Sequence, residues 1–284
     1  MAITLSGEQL RGLQLKELEI LKYFRDYCDS HGITYYLCGG CLIGALRYKK
    51  FIPWDDDADV FMPREDYERF IKTYLSENPS ERFLLLNETD ETFTRNSFAT
   101  LVDTSATLVK NYQADLNIPH GVAFDIFPVD PRPSGIKKKF QLFWCVIYSL
   151  FRAQTVPEKH GGLLALGSKV LLGIFRGRKL RKKIWKLAER HMTKYRLEDC
   201  EYICELCAGP RIMMNEYPKE LFESTAEVEF EGERFKVMNG YKEYLALAFG
   251  EDFMTPPPKE EQVVTHDLKY LDLEKPAKQL TIEN

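Results

Sequence analysis

The chain has 284 residues, with 39 Lys+Arg against 43 Asp+Glu and a formal net charge of -4. At 44% hydrophobic and 29% charged it has the composition of an ordinary globular protein of one or two domains. The small net charge excludes a nucleic-acid binder working by bulk electrostatics.

The first residues, MAITLSGEQLRGLQLKELE, lack the basic region and apolar core of a secretory signal, so a cytoplasmic location is expected. The longest uncharged apolar run, Phe140 to Phe151, is twelve residues. A membrane-spanning helix needs about 20. The seven Cys are therefore read as reduced thiols. Charge is unevenly distributed: residues 137–183 hold 12 Lys/Arg and one acid, Glu158, for a net of +11, which leaves the rest at -15.

Taken in chain order, Ser6 and Gln9 form a capping box opening a helix with Leu10, Leu13, Leu21, Phe24 and Cys28 on one face, stopped at Gly32. ITYYLC reads as a strand running into Gly39-Gly40, and CLIGALRY as a short helix. After Pro53, DDDADVFM reads as a strand. A helix follows with Tyr67, Phe70, Ile71 and Tyr74 on one face. Residues 83–118 read as short strands and loops, and GVAFDIFPVD as a strand stopped by its prolines, with Asp130 beyond Pro128 and outside it. The basic block reads as two helices broken near Pro157 and Gly161-Gly162. Leu180, Ile184, Leu187, Ala188 and His191 mark another. EVEFEGERFKVM has a strand pattern, Tyr241 to Phe249 a helical one, and a PPP turn and polar tail close the chain. Strands alternating with helices give an α/β or α+β class.

Two features carry chemistry. A Gly-Gly turn between strand and helix lets backbone N–H groups approach an anion, helped by the helix dipole. In WDDDADV, strand alternation projects Asp57 and Asp59 on one face. Two adjacent carboxylates repel unless a cation lies between them, and their hard oxygens suit Mg2+, which also binds phosphate. A bare acidic run would read equally as a solvated turn, but here it leads into an apolar strand. Asp125, flanked by apolar residues in AFDIF, needs a partner or a metal, or else a core salt bridge. A phosphate-admitting turn, Asp-x-Asp and a third strand Asp make a metal-assisted phosphoryl-transfer site.

CGGCLIGALRYKKFIPWDDDADVFMPREDYERF, GVAFDIFPVD and FGEDFMTPPP followed by His266 resemble the signature of the LicD family. The resemblance is narrow from Ile33 to Tyr74 and from Gly121 to Asp130, and weak from Phe140 to Arg211. Cys41 stands where that family usually has a hydroxyl residue, and Lys50 where it usually has Gly. The resemblance implies an α+β fold with a nucleotidyltransferase (polymerase-β-like) core formed by residues 1–135 with 208–284. A mostly helical basic insertion would span 136–207.

It also implies transfer of phosphocholine from CDP-choline to a glycan hydroxyl, such as a teichoic-acid or lipopolysaccharide precursor. Ribitol or glycerol phosphate, or nucleotidyl transfer from an NTP, are the alternatives on the same fold. Asp57, Asp59 and Asp125 would be catalytic and hold Mg2+ (or Mn2+), as two ions. Gly39 and Gly40 would grip phosphate, with Arg47, Lys49 and Arg64 as further phosphate partners, although Lys49 reads equally as a surface cation. Trp54 would pack beside the Pro turn or border choline. His266 would join the site or be a surface His.

Cys200, Cys204 and Cys207 have the C-x3-C-x2-C spacing of an iron–sulfur site. The helical pattern in CEYICELC and the short remaining chain favour buried thiols instead. A non-catalytic glycan-binding scaffold is disfavoured by the presence of all three acids. The basic, apolar block would meet anionic lipid at the inner membrane face, form a groove for an anionic or lipid-linked acceptor, or pack as a helix pair with a solvated basic end.

Overall fold

A computed structural model describes residues 3–88, 92–154, 162–209, 212–264 and 266–277. Helix α1 (Gly7–Ser30) begins at the expected capping box: Ser6 Oγ accepts from the Gln9 N–H at 3.2 Å, and Gln9 Oε1 accepts from the Ser6 N–H at 3.0 Å. It buries Leu13, Ile20, Leu21, Phe24 and Cys28, and the chain leaves it through Gly32 at φ +60. Then come β1 (Tyr36–Leu37), α2 (Gly39–Tyr48), β2 (Asp59–Pro63), α3 (Arg64–Glu77), β3 (Phe83–Leu86), β4 (Ala99–Asp103), β5 (Thr107–Lys110) and β6 (Val122–Arg132). Three helices follow, α4 (Gly135–Ala153), α5 (Gly162–Ile174) and α6 (Arg178–Met192). The chain closes with β7 (Tyr202–Glu205), β8 (Tyr217–Pro218), β9 (Thr225–Phe230), β10 (Glu233–Met238), α7 (Tyr241–Phe249) and β11 (Leu268–Asp272). The break expected near Pro157 and Gly161 lies outside the described residues; α5 begins at Gly162.

The main sheet runs β1-β2-β6-β4-β3, with β7 added to β6 and β8 to β7. It is mixed: β2 and β6 are parallel, and the other pairs antiparallel. This is the expected α+β class. Hairpin β9–β10 and the pair β5–β11 stand apart from it. Phe24, Phe70 and Phe124 join α1, α3 and β6 in a buried aromatic cluster with ring centroids 5.0–5.2 Å apart.

Three expectations are corrected. Strand β2 begins at Asp59, so Asp57 lies in the preceding loop and strand alternation does not bring the two acids together. Strand β6 continues through Pro128 to Arg132, so Asp130 is a fully buried strand residue. Pro128 is tolerated because the β4 ladder ends at Ile126 and the β7 ladder starts at Val129, leaving that flank of β6 without a ladder bond to lose. The CEYICELC segment is strand β7, not helix; pairing with β6 and β8 overrides its local pattern.

Candidate active site

The site lies where the N-terminal end of β2 meets β6. Parallel pairing sets Asp59 opposite Asp125, and on the other flank of β6 the β4 register sets Thr100 opposite the same Asp125. The Thr100 hydroxyl donates to Asp125 Oδ1 at 2.8 Å and is itself held by Asn96 Nδ2 at 3.0 Å. Lys110, at the end of β5, brings Nζ to 3.5 Å from Asp125 Oδ2, with both side chains largely buried.

The acidic loop is fixed from beneath. Gln14, on the inner face of α1, donates to the carbonyls of Ile52 (3.1 Å) and Asp55 (2.9 Å). The Cys41 thiol points at the Asp57 carbonyl at 3.8 Å. Gly39 opens α2 at φ +55, a conformation that favours glycine, and its N–H donates to the Tyr244 hydroxyl at 3.4 Å. A Cβ on Gly40 would stand 2.2 Å from Asp55 Oδ2. The bare Gly40 Cα thus leaves room for the Asp55 carboxyl group beside the first turn of α2.

His266 arrives by tertiary pairing. Strand β11 pairs with β5, setting Leu268 opposite Lys110. Two residues earlier, His266 Nδ1 lies 3.0 Å from Asp56 Oδ1 and Nε2 lies 3.7 Å from Asp57 Oδ2. One ligand atom from each of Asp56, Asp57 and His266 falls within 4.8 Å of the others, the spacing of a metal-ligand set.

The electrostatics record charge crowding. Burial pushes Asp59 well above the usual carboxylate range, with repulsion from Asp57 and Asp125 adding to it. Burial also raises Asp57, against the pull of His266 and Lys110. Asp55 is pushed up to about 8 by burial and by Asp57 beside it. Glu17, fully buried on α1, is raised well above its ordinary value by burial and then by Asp57, Asp55 and Asp56. For Lys110 burial works against the ammonium, but Asp125, Tyr112, Asp57 and Asp59 outweigh it and raise it. His266 is raised by its hydrogen bond to Asp56. One oxygen each of Glu17, Asp55 and Asp56 is buried without a hydrogen-bond partner. Unpartnered hard oxygens at like-charged, buried acids fit a divalent cation.

A family model described as LicD/FKTN/FKRP, nucleotidyltransferase domain, matches residues 32–158. The chain is 33% identical over 267 residues to the lipopolysaccharide cholinephosphotransferase LicD of Haemophilus influenzae, covering 90% of this chain and 96% of that protein. The chain belongs to the LicD family. Shorter likenesses, 32% identical over 74 residues and 33% over 70, are to uncharacterized proteins of Rickettsia typhi and Rickettsia prowazekii. They cover 24% and 22% of this chain, and 24% and 26% of those proteins.

In this LicD-family chain Asp57, Asp59, Asp125, Gly39, Gly40 and His266 converge on one site. The other expected contacts do not. Arg64 forks onto Asp130 at 2.8 and 2.7 Å, at the opposite end of β2, and is spent there on a buried ion pair. Arg47 donates to the carbonyls of Phe253 and Thr255, pinning the segment before the PPP turn. Lys49 caps the C-terminal end of α2 and faces Glu229 at 3.9 Å, with its side chain 60% exposed. Trp54 packs against the core, edge-on to Tyr48 at 6.5 Å. Glu17, Asp55, Asp56 and Lys110 belong to the site and were not singled out from sequence. For Glu17 a signal was present: it sits four residues after Leu13 and four before Leu21, an acid on an apolar helix face.

Proposed function

We propose that this chain transfers phosphocholine from CDP-choline to a sugar hydroxyl of a cell-surface glycan, on a nucleotidyltransferase-like core and with Mg2+. The observation that carries this reading is the near-full-length similarity to a lipopolysaccharide cholinephosphotransferase. The Asp59–Asp125 register and the unpartnered carboxylate oxygens around it supply the matching chemistry.

Asp57, Asp59 and Asp125 would hold Mg2+, or Mn2+, as two ions, with Asp56 and His266 placed to assist at the rim. The cation would supply charge stabilisation to the donor phosphates. The acceptor oxygen forms a bond to the phosphorus bearing choline as the bond from that phosphorus to the bridging oxygen breaks, and CMP leaves. The proton of the acceptor hydroxyl passes to Asp125, whose orientation is fixed by Thr100 and Lys110. Lys110 also sets a buried positive charge beside the place where phosphate charge is redistributed. The α2 N-terminus at Gly40 adds its dipole to the same place.

Product analysis tests the reading. Incubation with Mg2+ and CDP-choline, CDP-ribitol or CDP-glycerol, with a lipopolysaccharide acceptor, is expected to release CMP fastest from CDP-choline. CMP released faster from CDP-ribitol or CDP-glycerol would reassign the head group. Pyrophosphate released from an NTP, with no CMP from any CDP donor, would overturn head-group transfer.

A further inference from the structure

Helix α4 has two unlike faces. Its inner face, Cys145, Tyr148 and Phe151, packs with Trp185, Ala188 and Met192 of α6 in a second buried cluster. Its outer face carries Ile136, Phe140, Phe143 and Val146, spaced by four, three and three residues. These are 65%, 58%, 56% and 47% exposed. That is one continuous apolar stripe turned to solvent. Lys137 and Lys139, both exposed, flank it on either side. The next helix repeats the pattern: Leu166, Val170 and Ile174 of α5, spaced by four, are exposed, with Lys169 and Arg176 exposed beside them.

An isolated soluble domain rarely gathers exposed side chains of this size into stripes without a partner. The surrounding charge says what kind of partner. Of the cations between residues 137 and 183, Lys137, Lys139, Lys169, Arg176, Lys179 and Lys183 are exposed, whereas Arg152 is buried, so a protein partner would need an acidic rim around an apolar centre. A bilayer with anionic headgroups presents both features at once. Alongside the stripe, a cavity of about 510 Å3 is lined by Ile136, Lys137, Phe140, Trp144, Lys194 and Arg196, with Asp199 as its one acid. It joins apolar walls to cations, the chemistry of a lipid glycerophosphate. None of the described helices is long and apolar enough to cross a membrane, so contact through these helices is interfacial.

We propose that the outer face of α4 forms an interfacial membrane-binding surface for anionic lipid. Ile136, Phe140 and Phe143 enter the acyl boundary, and the cavity beside α4 receives a phosphate headgroup. The stripe begins at Ile136, four residues after β6 ends at Arg132, and α4 runs back along the sheet, where Tyr148 and Arg152 donate to the carbonyls of Ser97 and Asn96. The inference goes beyond the proposed reaction and does not depend on it.

Vesicle co-sedimentation of the full chain tests it, comparing pure phosphatidylcholine with phosphatidylcholine containing phosphatidylglycerol. Binding is expected to the anionic vesicles and to weaken with added salt. The double variant Phe140→Ser/Phe143→Ser is expected to bind at least ~10-fold more weakly, because two aromatic anchors leave the interface. Lys137→Glu/Lys139→Glu is expected to lose the preference for anionic lipid. Both pairs are exposed, and an unchanged thermal transition confirms that the fold is retained. Absence of binding to anionic vesicles would overturn the proposal, as would binding unaffected by the Phe substitutions. So would a lipid-free dimer that dissociates on Phe140→Ser/Phe143→Ser, since a second copy would then be the occupant.

Discussion

Buried like charges make the residues of this site sensitive to pH. Glu17 and Asp55 hold their protons more tightly in the folded chain than the ~4 of an unfolded carboxyl group allows. The folded state therefore binds more protons across the interval above ~4, and stability falls as pH rises through it. For Asp55 the loss runs up to about 8. In chelator, the melting temperature is expected to drop between about pH 5 and 8, and added Mg2+ to flatten the drop. Glu17→Gln should also flatten it, and a slope unchanged by either would show that the acids are not crowded as described. For activity, Asp57→Asn and Asp59→Asn are each expected to lower kcat at least ~100-fold with an unaltered circular dichroism spectrum. The three strand and loop acids are legible in sequence because each abuts an apolar run. Lys110 is not, because β5 is short and unpatterned and acquires its meaning only by lying beside Asp125.

Elements fix what residues alone leave open. Strand β6 ties both ends of the sheet together: its Asp125 faces β2 and β4 at the acidic site, and its Asp130 holds Arg64 at the far end. Reading Pro128 as a strand terminator hides that second pair, and with it the reason Arg64 is held at Asp130. Asp130→Asn is expected to destabilise the fold by about 3–5 kcal/mol in urea unfolding, because it leaves the Arg64 guanidinium buried without its counter-charge. The α2 N-terminus gives a complementary test. Gly40→Ala would drive a methyl group into Asp55. A loss of activity on the order of 10- to 100-fold is expected with little change in the unfolding midpoint. An unaffected kcat would show that Asp55 need not sit where the structure places it. The helices and the β9–β10 hairpin were legible from spacing and capping, since their signals are local. The β5–β11 pair, which delivers His266, joins segments far apart in the chain and left no local signature.

Across the whole molecule, the net charge of -4 averages an acidic body with a basic helical region. The basic residues of that region fall mostly on α4, α5 and the start of α6. The cysteine spacing that resembles a cluster motif resolves on the same scale: Cys200, Cys204 and Cys207 are buried, and the Cys204 thiol points at the Asp130 carbonyl at 3.5 Å within the sheet. All seven thiols are free and buried. In the native protein they are expected to react with a thiol reagent at least ~100-fold more slowly than in denaturant. Fast labelling of the folded chain would contradict this packing. We propose Asp57, Asp59 and Asp125 as a cation-dependent phosphocholine-transfer site. Its most direct test is CMP release from CDP-choline by the metal-stripped protein as Mg2+ is titrated back, with the Asp59→Asn variant alongside. Release that is absent in chelator, restored by Mg2+ in the parent chain and not restored in the variant is the predicted result. Turnover in chelator, or full turnover by Asp59→Asn, would contradict it.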